Sequence, residues 1–346
     1  MRVLVAANLT PFLQGGAQEH IRGLSFALRE AGHAVETLLL PFGFGPESEV
    51  LRAMAVARGL DMTAPNGQQI DRVIGLQFPA YGIAHPHMVG WVMHQHRAVY
   101  ELFVQAQAGP ERQALRQEVL QFDAEVLGPL SEKRRLFANS ARVAERLKQF
   151  NGLGARPLYH PPPQAEAFFC EPAEDYVFFP SRFESLKRQS LVIDAAAHLQ
   201  TPVRLVLAGQ GGQWQAAQSQ CERLGLGDRV RLVGRVSAAE KVLWYAKSLG
   251  VVYPPFDEDY GYVTLEAMLS AKPVITCTDS GGPLEFVRHE ETGLVVSPDP
   301  QSLAQAIDRL YQNKAWARQA GQQGRAQYAQ AVIGWPQVVQ ALLQAA

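Results

Sequence analysis

Cysteine is scarce and scattered in this 346-residue chain. Only Cys170, Cys221 and Cys277 are present, with no C-x-x-C spacing. An odd, dispersed set argues against a disulfide framework and a thiolate zinc site, and fits a reducing compartment, so a cytoplasmic location is expected. Net charge is missing too. Lys+Arg 32 against Asp+Glu 33 leaves −1, so no global field draws the protein to nucleic acid, and an anionic ligand has to be held by a local cluster. No apolar run approaches the roughly 18 to 20 residues of a spanning helix. Residues 1–8 carry one positive charge and an apolar run too short for a signal-peptide core; they read as a buried strand. A G-x-G-x-x-G fingerprint is also absent, since neither Gly15-Gly16 nor Gly209-Gln210-Gly211-Gly212 matches it, which argues against a conventional dinucleotide enzyme.

What is present is an ordinary globular composition, 47% hydrophobic and 19% charged. At roughly 150 residues per domain the length predicts two domains. The apolar pattern alternates between strand and helix periods from the start: a strand at 3–7, helical spacing through Ala17, Ile21, Leu24 and Leu28, a stop at Gly32, a strand at 34–40. Further apolar runs at 72–76, 88–93 and 136–138 continue a parallel α/β sheet, with 101–130 expected to be mostly helix. Gly152, Gly154, Pro157 and Pro161-Pro162-Pro163 break the rhythm and place a domain joint at 151–163. Strands at 176–179, 203–208, 230–233 and 250–253, with helices between them, make a second α/β domain. Beyond 303 the sequence is helical, interrupted near Gly334-Trp335-Pro336. The expected organisation is two Rossmann-like, doubly wound parallel-sheet domains, 1–163 and 164–320, facing each other across a cleft, with a helical segment 321–346 packing back toward the N-terminal domain. Ligands of such folds bind at the carboxyl ends of the strands.

The loops there carry the candidate chemistry. After the strand at 250–253, Pro254-Pro255 leads into Phe256-Asp257-Glu258-Asp259-Tyr260-Gly261-Tyr262, and a helix begins near Val263. Glu258 sits on the loop, and Glu266 about one turn inside the helix, where a carboxylate can accept hydroxyl hydrogens. The amides of 260–262 and the helix dipole favour an anion or a polyol. A solvated acidic loop is the alternative. Arg182 and Lys187 follow the strand at 176–179 and are placed to clamp a diphosphate, the first as a fork and the second as a point charge; ordinary surface bases are the alternative. His85, His87, His94 and His96 lack acidic or thiolate partners nearby, so a polar role for one of them is expected rather than a metal site. Asp257-Glu258-Asp259 is likewise read as an acidic loop and not a cation site. The basic residues Lys133, Arg134, Arg135, Arg142, Arg146 and Lys148 leave two readings open, a solvated face or peripheral contact with anionic lipid at the inner face of a membrane.

The order Gly15-Gly16-Ala17-Gln18-Glu19-His20, Arg182 with Lys187, Leu205-Val206-Leu207-Ala208-Gly209-Gln210-Gly211, Val233-Gly234-Arg235-Val236, Glu258-x7-Glu266, Gly281-Gly282-Pro283-Leu284-Glu285 and Glu291-Thr292-Gly293-Leu294-Val295-Val296 resembles the GT-B glycosyltransferases of family 4, almost end to end. The resemblance implies retaining transfer of a sugar from a UDP- or GDP-type nucleotide sugar, with no cofactor or essential metal, to a glycan or lipid-linked acceptor in polysaccharide or cell-surface glycan synthesis. The first domain then takes the acceptor and the second the donor. Position by position it implies that Arg182 and Lys187 hold the diphosphate with the Gly16 amide, that Glu266 accepts the ribose hydroxyls, and that Glu258 and the amides of Tyr260, Gly261, Tyr262 and Val263 hold the donor sugar. Gly209 belongs to the nucleotide loop and Val236 lies beside the base. His94 matches the first-domain histidine near the transferred sugar, with His96 and Arg97 on the acceptor side. Asp259 and Tyr260 stand where the family has a small Gly and a Phe, and Gln18 where an acidic residue is common, which implies more polar donor-sugar contacts. A nucleotide-sugar epimerase or a non-catalytic nucleotide-sugar binder on the same fold are the other readings.

Overall fold

Short strands that are apolar on both faces can be hidden only in a parallel sheet covered by helices on either side, and both halves of the chain take that solution. The computed structural model describes residues 1–12 and 15–345. It contains two units, Met1–Pro163 together with the C-terminal residues from Gly334 onward, and Gln164–Ile333.

The first unit runs β1 (Arg2–Leu9), α1 (Gly16–Glu30), β2 (Ala34–Pro41), α2 (Glu47–Arg58), β3 (Arg72–Gly75), β4 (Met88–Val92), α3 (Pro110–Glu132), β5 (Leu136–Ala138), α4 (Ala141–Asn151) and β6 (Arg156–Pro157). Its sheet is parallel in the order β2-β1-β3-β4-β5-β6. Two boundaries differ from expectation. The helix expected over 101–130 starts only at Pro110, because Gly109 is its N-cap and proline belongs at the first helical position. The joint region supplies an edge strand, with Arg156 registered against Phe137.

The second unit runs β7 (Tyr176–Pro180), α5 (Gln189–Ala196), β8 (Arg204–Ala208), α6 (Trp214–Arg223), β9 (Val230–Gly234), α7 (Ala238–Lys247), β10 (Gly250–Val252), α8 (Tyr262–Leu269), β11 (Val274–Cys277), β12 (Gly293–Val296), α9 (Pro300–Gln312) and α10 (Lys314–Gln330). Its parallel sheet has the order β12-β11-β10-β7-β8-β9. From β7 the chain adds β8 and β9 on one side, then returns to place β10 on the other. The switch point, where ligands of open α/β sheets bind, therefore lies between β7 and β10. Helix α7 is started by a capping box in which Ser237 and Glu240 satisfy each other's amides.

Helix α10 crosses the expected boundary at 320 and stays in the second unit; the return to the first begins at Gly334. There α11 (Trp335–Gln344) buries Val338, Val339 and Leu342 in the cluster that holds Ile21, Leu24 and Leu28 of α1 and Trp91 of β4. Gly23 makes room for it, since a Cβ at that position would lie 2.3 Å from the Trp335 ring. Arg72 closes the helix by donating to the carbonyls of Ala345, at 2.8 Å, and Leu343, at 2.9 Å. Ala346, the last residue of the expected helical segment, lies outside the described residues. Beside Trp335 the buried His20 stacks on His160 at 4.0 Å and meets Trp91 edge-on at 4.2 Å.

Candidate active site

The loops after β7 and β10, which flank the switch point of the second sheet, bring Lys187 and Glu258 together as an ion pair. Tyr253, the residue after β10, donates its hydroxyl to Glu258 Oε2 at 3.0 Å, and Lys187 Nζ lies 3.5 Å from the same hydroxyl. Burial first, and then the Glu258 charge, hold the Tyr253 phenol well above its usual range, so it stays a neutral donor. The main chain beneath these side chains is fixed independently. The Glu258 amide donates to Ser280 O at 2.9 Å, its carbonyl accepts from Gly282 N at 2.8 Å, and Leu186 O accepts from Phe256 N at 2.7 Å. Gly281 is required there, because its φ is +71° and a Cβ would lie 2.6 Å from the Glu258 carbonyl oxygen.

Gly261, at φ 84°, turns the chain into α8, and Glu266 lies one turn inside it. Glu266 is 4% exposed. Its Oε1 accepts from Lys241 Nζ at 2.6 Å and its Oε2 from the Tyr245 hydroxyl at 2.7 Å. Each carboxylate oxygen keeps a second acceptor site. Tyr245, like Tyr253, is held protonated by burial and by its carboxylate. The loops after β7 and β8 are laced together. The Phe183 amide donates to Gln210 O at 3.0 Å, Gly209 donates its own amide to Gly234 O of β9 at 2.7 Å, and a Cβ on Gly209 would lie 2.0 Å from Ser181 O. Gln189 fixes the Arg182 carbonyl at 2.7 Å, while the Arg182 guanidinium is exposed and lies 3.8 Å from Glu184. Arg188 grips Asp279 with two bonds, 2.8 and 2.7 Å, and lies over the Phe256 ring. Val236 is partly buried against the core just after β9.

In the first unit, Gly16 opens α1 after β1, and His94 follows β4. The His94 Nδ1 meets the carbonyl of Gln95 at 2.9 Å and so carries the proton there, leaving Nε2 as the acceptor of the neutral ring. Gln95 anchors this loop in a buried network: its Nε2 donates to Asp123 Oδ2 at 3.2 Å and to Asn151 Oδ1 at 2.7 Å. Asp123 also accepts from the hydroxyls of Tyr81 and Tyr100, each at 2.7 Å. Burial pushes Asp123 up to about 6, against those hydrogen bonds. His96 and Arg97 lie against neighbours within the first unit. His96 is buried against Phe78 and Phe42, and burial first, then His94 and Arg112, lowers it to about 4. Arg97 is paired with Glu101, which also lies 3.3 Å from the buried Arg146. Arg146 thereby leaves the basic face expected around 133–148. No helix of the described residues is long and apolar enough to cross a membrane.

Tyr253, Tyr245 and Lys241 were not singled out from sequence. A signal exists for the last two, which lie four apart on α7 and therefore share one face.

Residues 166–327 match the family model described as glycosyl transferases group 1. The second unit is a group 1 glycosyltransferase domain. Among curated proteins the chain is 29% identical over 162 residues to the human alpha-1,3/1,6-mannosyltransferase ALG2, covering 42% of this chain and 39% of that protein. It is 32% identical over 185 residues to the D-inositol 3-phosphate glycosyltransferase of Frankia alni, covering 49% and 44%. The matched segment thus spans less than half the length of these relatives. Among solved structures, sucrose-phosphate synthase from Thermosynechococcus elongatus superposes with a TM-score of 0.78 at 20% identity, covering 99% of this chain and 97% of that one. Anabaena HepE, in complex with UDP and glucose, gives 0.70 at 18%, covering 99% and 98%. The glycosyltransferase fold is thus GT-B in type, with both α/β units present.

Proposed function

We propose that the chain is a retaining, metal-independent glycosyltransferase that moves a sugar from a nucleoside-diphosphate sugar to a glycan or lipid-linked acceptor in polysaccharide or cell-surface glycan synthesis. The observation that carries this is the convergence of Lys187, Tyr253 and Glu258 at the second sheet's switch point, next to Glu266 on α8, inside the segment that matches the family. In this reading Arg182 and Lys187 hold the diphosphate, Glu266 accepts ribose hydroxyls beyond its bonds to Lys241 and Tyr245, and Val236 lies beside the base. Glu258 and the start of α8, from Tyr260 to Val263, hold the donor sugar. Gly16 and His94, at carboxyl ends of first-sheet strands, serve the phosphate and the transferred sugar.

The chemistry follows from charge. As the anomeric carbon–oxygen bond to phosphate breaks, negative charge grows on the phosphate, and Arg182 and Lys187 stabilise it where it develops. Losing one such donor costs about 3 kcal/mol, a hundredfold or more in rate. The acceptor oxygen bonds the same face of the sugar, and its proton passes to the departing phosphate, so no nucleophilic carboxylate is needed. Melting curves with UDP-, GDP- and other nucleotide sugars should show a rise for the true donor, because a ligand that binds only the folded state raises the transition. Lys187→Ala should reduce that rise and cut transfer about a hundredfold. Unchanged donor binding and turnover in that variant, or a product of inverted configuration, would sink the assignment.

A further inference from the structure

In the structure the Lys187 ammonium is already occupied by a carboxylate, and the carboxylate is the one proposed to hold the donor sugar. The two side chains are 18% and 16% exposed, so neither can be left without a counter-charge or donors at small cost. Their main chains are locked by the Ser280, Gly282 and Glu184 contacts, the last a 2.9 Å bond from the Lys187 amide. Only the side-chain tips are free to change partner. A diphosphate that draws Lys187 away leaves Glu258 with the Tyr253 hydroxyl alone. A sugar on that diphosphate brings hydroxyl donors that refill Glu258; a bare nucleoside diphosphate brings none.

We infer that the Lys187–Glu258 pair is an exchange latch that discriminates nucleotide sugar from bare nucleoside diphosphate. The latch rests on the donor reading above and adds a second role for the pair. Once the sugar has moved to the acceptor, Glu258 loses its hydroxyl partners, recaptures Lys187 and weakens the hold on the spent nucleotide. Glu258 is thus a specificity residue for the presence of the sugar and a driver of product release. The contact is reversible and no covalent bond changes in it.

The test is titration calorimetry of the intact chain with UDP, UDP-glucose, GDP and GDP-mannose. In Glu258→Gln the amide no longer competes for the ammonium, so the nucleoside diphosphate that binds wild type should bind roughly tenfold tighter, and its Kd should approach that of the matching nucleotide sugar. On a Lys187→Ala background the same Glu258→Gln change should leave the nucleoside diphosphate Kd unmoved. A Glu258→Gln protein that binds nucleoside diphosphate no more tightly than wild type overturns the latch while leaving the donor site standing. Failure of all four ligands to bind wild type overturns the donor reading, and the latch with it. Melting curves check that the variants fold, as the independent main-chain bonds of Glu258 lead one to expect, and Glu258→Ala gives the same reading should the Gln variant not fold.

Discussion

Three histidines of the first unit are held neutral by burial, His96 at about 4, His20 at about 3 and His160 well below its usual value. Each binds fewer protons folded than unfolded, so the stability it leaves intact at neutral pH is lost as the pH falls below about 6.5, at roughly 1.4 kcal/mol per pH unit. Asp123 acts with the opposite sign: raised to about 6, it takes up its proton in the folded state first, and its burial cost is relieved as pH falls through that value. Three groups against one leave a net loss, so thermal melts should show a lower transition at pH 5 than at pH 7. His20→Phe, which keeps an aromatic ring against Trp91 and His160, should flatten that slope; equal transitions at the two pH values would refute this reading. Arg182, Lys187, Glu258 and Glu266 stand out as candidates because they lie in segments of recognisable order that follow strands, and the meeting of Lys187 with Glu258 is what the structure adds. The burial of His96 was not legible, because Phe42 and Phe78, the rings that cover it, come from segments distant in sequence. The bonds of Tyr245 and Lys241 to Glu266 join residues 21 and 25 apart and exist only once the second sheet has assembled, whereas Tyr253 lies five residues from Glu258 and nothing in the sequence marks a tyrosine after a strand as a carboxylate partner.

Among the elements, the strand-to-helix turns hold the site in place, and glycine is what lets them approach one another. Gly209 at φ 137°, with Ser181 O where its Cβ would be, contrasts with Gly225, which has φ 64° and nothing within 4 Å. Gly225→Ala should cost about 1–2 kcal/mol, the left-handed strain alone. Gly209→Ala has to push the β7 loop away as well, so it should lower the melting temperature further and weaken nucleotide binding; melts and titrations of the two variants side by side decide it. The alternation of β and α was legible across most of the chain because doubly buried strands read as unbroken apolar runs. Element ends were less so. The apolar spacing that suggested a helix from 101 carried no information about Gly109-Pro110, and β6 was hidden in a stretch whose glycines and prolines read only as a joint.

For the molecule as a whole, the division into two α/β units was legible from length and rhythm, but the return of the chain at Gly334 was not, since α10 and α11 share one helical pattern and differ only in which core they bury. Deleting 334–346 should uncover Leu24, Leu28 and Trp91 and lower the first unit's melting transition by several degrees, as about 1 kcal/mol alone moves a domain of this size by 2–4 °C. The second unit's transition should move far less. The placement of α11 also sets a timetable on the ribosome. Residues 1–163 emerge first but lack the helix that closes their core until 164–333 have been made, about ten to thirty seconds later at 5–20 residues per second. Of the two units, the one synthesised earlier is therefore completed later, and during that interval its open face, around Trp91 and α1, is where a nascent-chain chaperone would find something to hold.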